Sequence, residues 1–215
     1  TWFFVVSGVS NIFIARLVRL YDIRHLVYVG GVGGAISLIL FGQVHNEVQM
    51  FLVYTLFGLT WGFAGIVPLS TIVTRWFEKG RAVALATAAI GTSAGGIFLG
   101  PITKQLIDKT GLQMGSIWVG IFWFFATCIP AVLFLRSSPT DLGWLPDGEP
   151  IVNNHVPELR GTDFQVAIHS RYFWLVTIGF MFALATQVGA IQQLVKLVEE
   201  RTSASTAAFS TSVLS

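Results

Sequence analysis

Charged residues fall into short clusters, and between the clusters run stretches that hold none: Leu26 to Gln43, Val48 to Thr74, Ala82 to Thr103, Leu112 to Leu135 and Tyr172 to Leu194. A further apolar segment, Trp2 to Val18, is broken late by Arg16. A helix rises ~1.5 Å per residue, so about 20 apolar residues cross a ~30 Å hydrocarbon core. Each run has about that length. Strands are excluded, because outer-membrane strands alternate apolar and polar over about ten residues. The pattern predicts an all-α membrane protein of about six transmembrane helices, with Ala207 to Ser215 as the start of a seventh. The chain opens at Thr1 directly on an apolar segment and stops within another, so it is expected to be a piece of a longer protein.

Composition agrees with this. The 215 residues are 53% hydrophobic and 11% charged, with a mean hydropathy of +0.71, whereas a soluble domain carries roughly 25% charged residues. That excludes a soluble enzyme, a nucleic-acid binder and a disordered chain. The net charge of +2 is too small to indicate a polyanion partner, and the single cysteine, Cys128, sits inside an apolar run. An intramembrane enzyme would need a nucleophile with a base, or a metal site, at membrane depth. His25, His45, His155 and His169 all lie in loops or at span ends, so no enzymatic activity, metal or cofactor is expected.

The loops alternate in charge. Arg16, Arg19 and Arg24 mark the first, Arg75, Lys79 and Arg81 the third, and Arg136, Arg160 and Arg171 the fifth, while the second holds only Glu47. Basic residues favour the cytoplasmic side, which turns the odd loops inward and makes the chain a multi-pass protein of the cell membrane. Residues 1–135 then form one transmembrane half, 136–171 a polar, proline-rich cytoplasmic loop, and 172–215 the start of a second half. Near the end of that loop Thr162 and Gln165 have capping-box spacing, and Phe164, Val166 and Ile168 suit a short helix at the headgroups.

Helix association in lipid depends on close packing, which small residues four apart permit. Gly30 with Gly34, Gly58 with Gly62, Gly91 with Gly95, and Gly96 with Gly100 have that spacing. The run Ala82 to Pro101 carries small residues through nearly every turn and ends in Gly100-Pro101, where a bend is expected. Gly91, Gly95, Gly96, Gly100 and Pro101 are therefore candidate packing and gating residues.

Three stretches resemble the major facilitator superfamily, and within it the branch of monocarboxylate transporters and oxalate:formate antiporters. Trp76-Phe77-Glu78-Lys79-Gly80-Arg81-Ala82-Val83-Ala84 is similar to the branch's signature where its fourth helix turns into its fifth. Arg136 to Gly148, with Pro139, Gly143, Pro146 and Asp147, is similar to the stretch after its sixth helix, and Tyr172-Phe173-Trp174-Leu175 to the start of its seventh. The resemblance implies helices two to seven of a twelve-helix bundle, and it makes Arg24, Phe77, Lys79 and Arg81 family loop residues. The family's loop after helix two usually carries an acid where this chain has Arg19, and Asp22 stands one helical turn along.

No charge lies deep in a span, where it would cost ~2.5 to 3.5 kcal/mol. Among the uncharged polar residues, serine and threonine can bond back to their own helix, whereas the amides Asn11 and Gln187 need a partner helix or a water-filled cavity. Asn11, Gln187 and Trp61 are candidate lining of a substrate path. Together with the resemblance, this leads to an expectation of secondary active transport of a small organic anion across a lipid bilayer, coupled to a proton or a counter-anion. A sugar or drug carrier on the same scaffold, or a solute sensor, would read alike through these helices.

Overall fold

The computed structural model describes residues 2–148 and 164–201, so the expectations for Thr162 and for Ala207 to Ser215 lie outside the described residues. The helices are α1 (Trp2–Leu20), α2 (Ile23–Phe41), α3 (Glu47–Ala64), α4 (Ile66–Trp76), α5 (Arg81–Leu133), α6 (Phe164–Ile168) and α7 (Arg171–Arg201). Short 3-10 turns follow α5 at Pro139–Leu142 and Pro146–Gly148, and there is no strand among the described residues. Among the described residues, four stretches are long and apolar enough to cross a membrane: α1, α2, the combined Glu47–Trp76, and α5.

Two predicted boundaries change. The single span expected over Val48 to Thr74 is interrupted at Gly65, which takes an extended conformation (φ −91°, ψ −152°) between α3 and α4. Pro68 is the cause: it has no N–H for the Ala64 carbonyl, and its ring would crowd that carbonyl in a continuous helix. The second change is at the fourth loop, where the structure keeps Lys104, Asp108 and Lys109 helical and confines the break to Gly111 (φ 81°, ψ 164°). Most residues before Gly111 are good helix formers, and only glycine enters that backbone region at no steric cost.

At Gly111 the chain folds sharply back. A Cβ placed on Gly115 would stand 2.7 Å from Ile107 Cγ1 and 3.1 Å from Ile107 Cα, although residues eight apart in a straight helix are separated by about 12 Å of rise. The arms of α5 before and after Gly111 are therefore about 45 Å and about 33 Å long, each sufficient for a crossing. Pro101 keeps helical dihedrals within the first arm.

The described residues group into two compact units. One takes the chain up to Ile90 and again from Thr103 through the 3-10 turns; the other takes Gly91–Ile102 with α6 and α7. In the first, a core of Ile14, Val18, Ile23 and Leu26 is covered by Phe63, Val67, Ile72 and Leu135. Glycine makes these approaches possible, and two positions show how little room remains. A Cβ on Gly30 would lie 2.7 Å from the Ala64 backbone nitrogen, and one on Gly62 would lie 2.5 Å from Ile14 Cδ1. Outward-facing Ile12, Phe13 and Ile66 stay exposed, as the outer face of a membrane bundle requires. In the second unit α6 folds against the start of α7, where the Trp174 indole N–H donates to the Ile168 carbonyl at 2.8 Å. The groove between these helices, about 460 Å³, is open and mostly apolar.

Candidate functional site

Two of the sequence candidates, Asn11 on α1 and Trp61 on α3, each pack across the α1–α3 interface. Asn11 lies against Gly62, and its Oδ1 is buried with no hydrogen-bond partner. Next to Gly62 in sequence, Trp61 joins an aromatic group that sequence reading missed. Its ring stacks on Trp123 (centroids 5.7 Å, 28°), meets Phe3 edge-on (6.0 Å) and lies beside Phe57 (5.8 Å). The Trp123 Nε1–H is also buried and unpartnered, pressed against the α2 backbone at Gly34. A tryptophan in the middle of a charge-free run, far from the interfaces where tryptophans gather, was the available signal for Trp123.

Hydroxyls at membrane depth mostly satisfy themselves, as expected. Thr60 donates to Leu56 O at 2.9 Å and Thr87 to Val83 O at 2.9 Å. Ser10 does not: its hydroxyl crosses from α1 to donate to Leu59 O on α3 at 2.9 Å. Gln187 is exposed on α7, in the other unit. Of the four small-residue pairs, Gly30 with Gly34 and Gly58 with Gly62 stand at close contacts. Gly91 and Gly95 do not, since a Cβ on either meets nothing within 4 Å; Gly96 is half-buried, Gly100 exposed and Pro101 half-buried.

The family loop residues assemble at one end of the first unit. Arg24 donates through Nε to Leu135 O at 3.1 Å, and Arg81 donates to Phe77 O at 3.2 Å and to Thr74 O at 3.3 Å. Arg75, which no sequence argument singled out as a site residue, joins the end of α1 to the linker: Nη2 donates to Val18 O at 3.2 Å and Nη1 to Ser137 O at 3.3 Å. Trp76 Nε1 donates to Arg136 O at 3.0 Å. The odd connections thus meet at one end, while Gln113 Nε2 donates to Gln43 Oε1 at 2.7 Å where even connections meet.

Two carboxylates hold the odd end. Asp22 caps α2 by accepting the Arg24 amide at 2.8 Å and accepts the Ser137 hydroxyl at 2.6 Å; that hydroxyl in turn accepts the Ile23 amide at 3.0 Å. Asp147 accepts the amides of Glu78 (3.2 Å) and Lys79 (2.9 Å). Partial burial works to raise the Asp22 carboxyl, but the Ser137 and Arg24 hydrogen bonds and the Arg24 and His25 charges together outweigh it and lower its pKa. The Lys79 amide leads in lowering that of Asp147, against a smaller desolvation effect. Both acids are therefore held in the charged form. Asp22, one helical turn after Arg19, thus reaches the start of the linker through Ser137.

A family model described as Major Facilitator Superfamily matches residues 1–215. The chain is similar to Uncharacterized transporter ESBP6 of Saccharomyces cerevisiae, 27% identical over 119 residues, which is 55% of this chain and 17% of that protein. It is also similar to MFS-type transporter pynF of Aspergillus niger, 25% identical over 181 residues, 80% of this chain and 38% of that protein. The chain therefore spans less than half the length of either relative.

Proposed function

The chain belongs to the Major Facilitator Superfamily, and from that premise we propose that it supplies the first half and central loop of a secondary transporter moving a small organic anion by alternating access. One observation carries the substrate class. The two stretches whose sequences resemble the monocarboxylate branch, Trp76 to Ala84 and Arg136 to Gly148, fold against each other, with Asp147 of the second accepting amides of the first. The paired motif thus behaves as a unit, which supports the resemblance. The polar groups at membrane depth in the first unit are amide, hydroxyl and indole, so a cation would find no carboxylate among them to offset its desolvation. An anion is paired by a basic residue from the other half.

The odd end faces the cytoplasm, because it holds Arg16, Arg19, Arg24, Arg75, Lys79 and Arg81. Coupling is to a proton or a counter-anion. Proteoliposomes holding the full-length protein should take up or exchange formate, lactate, pyruvate or oxalate, with inhibition by structural analogues. Transport of a neutral sugar or a lipophilic cation, with no signal from a panel of acids, would overturn the anion assignment.

A further inference from the structure

We infer that Asp147 is a positioning residue for transport: it straps the central loop to the turn between α4 and α5 and so sets the turnover rate without touching substrate. The inference rests on the transport reading above. Two independent observations carry it. First, two successive amides, those of Glu78 and Lys79, converge on one carboxylate, an arrangement that wraps an anion with backbone dipoles. The turn does not cap α5 with a side chain of its own, since Gly80, the residue just before that helix, has none and no side-chain cap bond is present there. Second, Asp147 is the only non-glycine residue at positive φ (63°) among the described residues. Such a backbone costs a residue with a Cβ free energy and persists only where the surroundings over-determine it. Here it turns the carboxylate onto the amides.

The strap is fastened at a second place, since Ser137 is bound by Asp22, the Ile23 amide and Arg75. Residues 137 to 147 therefore link the α1–α2 corner to the α4–α5 turn. This linker is also the start of the chain's path toward the second half. A rocking half needs its loops to move as one body, and a carboxylate that ties the turn to the linker supplies that rigidity.

Two variants separate the carboxylate from the backbone. Asp147→Gly removes the carboxylate and relieves the left-handed conformation, so folding is not penalised at that position. Asp147→Asn keeps one acceptor oxygen and tolerates the same backbone. In the full-length protein in proteoliposomes, maximal uptake should fall several-fold in Asp147→Gly and less in Asp147→Asn, with the half-saturating concentration unchanged within about two-fold. Hydrogen exchange at the amides of Glu78 and Lys79 should accelerate in the same order. Wild-type turnover in Asp147→Gly, a change in half-saturation alone, or unchanged exchange would overturn the inference. Absence of uptake by the wild-type protein for every solute would overturn the transport reading itself, and the exchange result would still report on the strap.

Discussion

At the residue scale, the tightest contacts belong to glycines, and this makes an asymmetric prediction. Gly62 faces Ile14, Asn11 and Ser10 with no space for a methyl group, whereas Gly91 faces open space. Gly62→Ala should lower the unfolding free energy in detergent micelles by about 1–3 kcal/mol through overpacking. Gly91→Ala should leave it unchanged or raise it by about 0.5–1 kcal/mol, because alanine loses less backbone entropy in a helix. Equal effects from the two would mean that the α1–α3 approach is not as close as it stands here. The Trp61–Trp123 stack is a second case at this scale. A double-mutant cycle with Trp61→Leu and Trp123→Leu should return a coupling of about 0.5–1.5 kcal/mol, the usual worth of an aromatic pair beyond its buried area.

At the element scale, the α1–α2 corner, the α4–α5 turn and the linker are joined by two carboxylates whose pKa values are both depressed. The sign follows from linkage. A carboxyl with a lower pKa folded than unfolded contributes stability in full above its unfolded value, and that contribution is lost as the pH falls through the folded one. Acidification below about pH 4 should therefore release the linker. The protection factors of the Ile23 and Lys79 amides, exchange relative to the intrinsic rate at each pH, are expected to fall over that range. In an Asp22→Asn/Asp147→Asn variant, exchange should already be faster at neutral pH and respond less to acid. Arg75 belongs to the same scale: its planar fork reaches one carbonyl in the last turn of α1 and one in the linker, which a lysine ammonium cannot reproduce with the same geometry.

At the scale of the whole molecule, the meeting of odd connections at one end and even connections at the other calls for a test of side. Single cysteines at positions 47, 79 and 147, in a Cys128→Ser background, are to be probed with an impermeant thiol reagent on intact cells. Position 47 should label, while 79 and 147 should be protected until the membrane is opened. Labelling of 79 but not 47 would invert the topology. The 215-residue chain alone, reconstituted, should show no saturable counterflow, because alternating access needs one repeat to rock against another.

The positions of the spans were legible in the sequence because the bilayer imposes a length and a polarity on every crossing, and charge-free runs record both. The break at Gly65 and the sharp turn at Gly111 were less legible. Pro68 was visible, but which residue would yield to it was not, and charged Lys104 to Lys109 read as a loop although their helix propensity keeps them helical. Asn11 and Trp61 could be named from one chain segment at a time, since an amide or indole in an apolar run stands out by itself. Trp123 offered the same signal and was passed over; Arg75, Ser137 and Asp147 could not be named so, because each acquires its role from a partner 57 to 115 residues away. The same limit applies to the glycines. Four pairs share one spacing, and only tertiary packing shows that a Cβ on Gly30, Gly34, Gly58 or Gly62 would press on a neighbouring helix while one on Gly91 or Gly95 meets nothing within 4 Å among the described residues. Spacing specifies a smooth face, and a face becomes a contact only when another helix is placed against it.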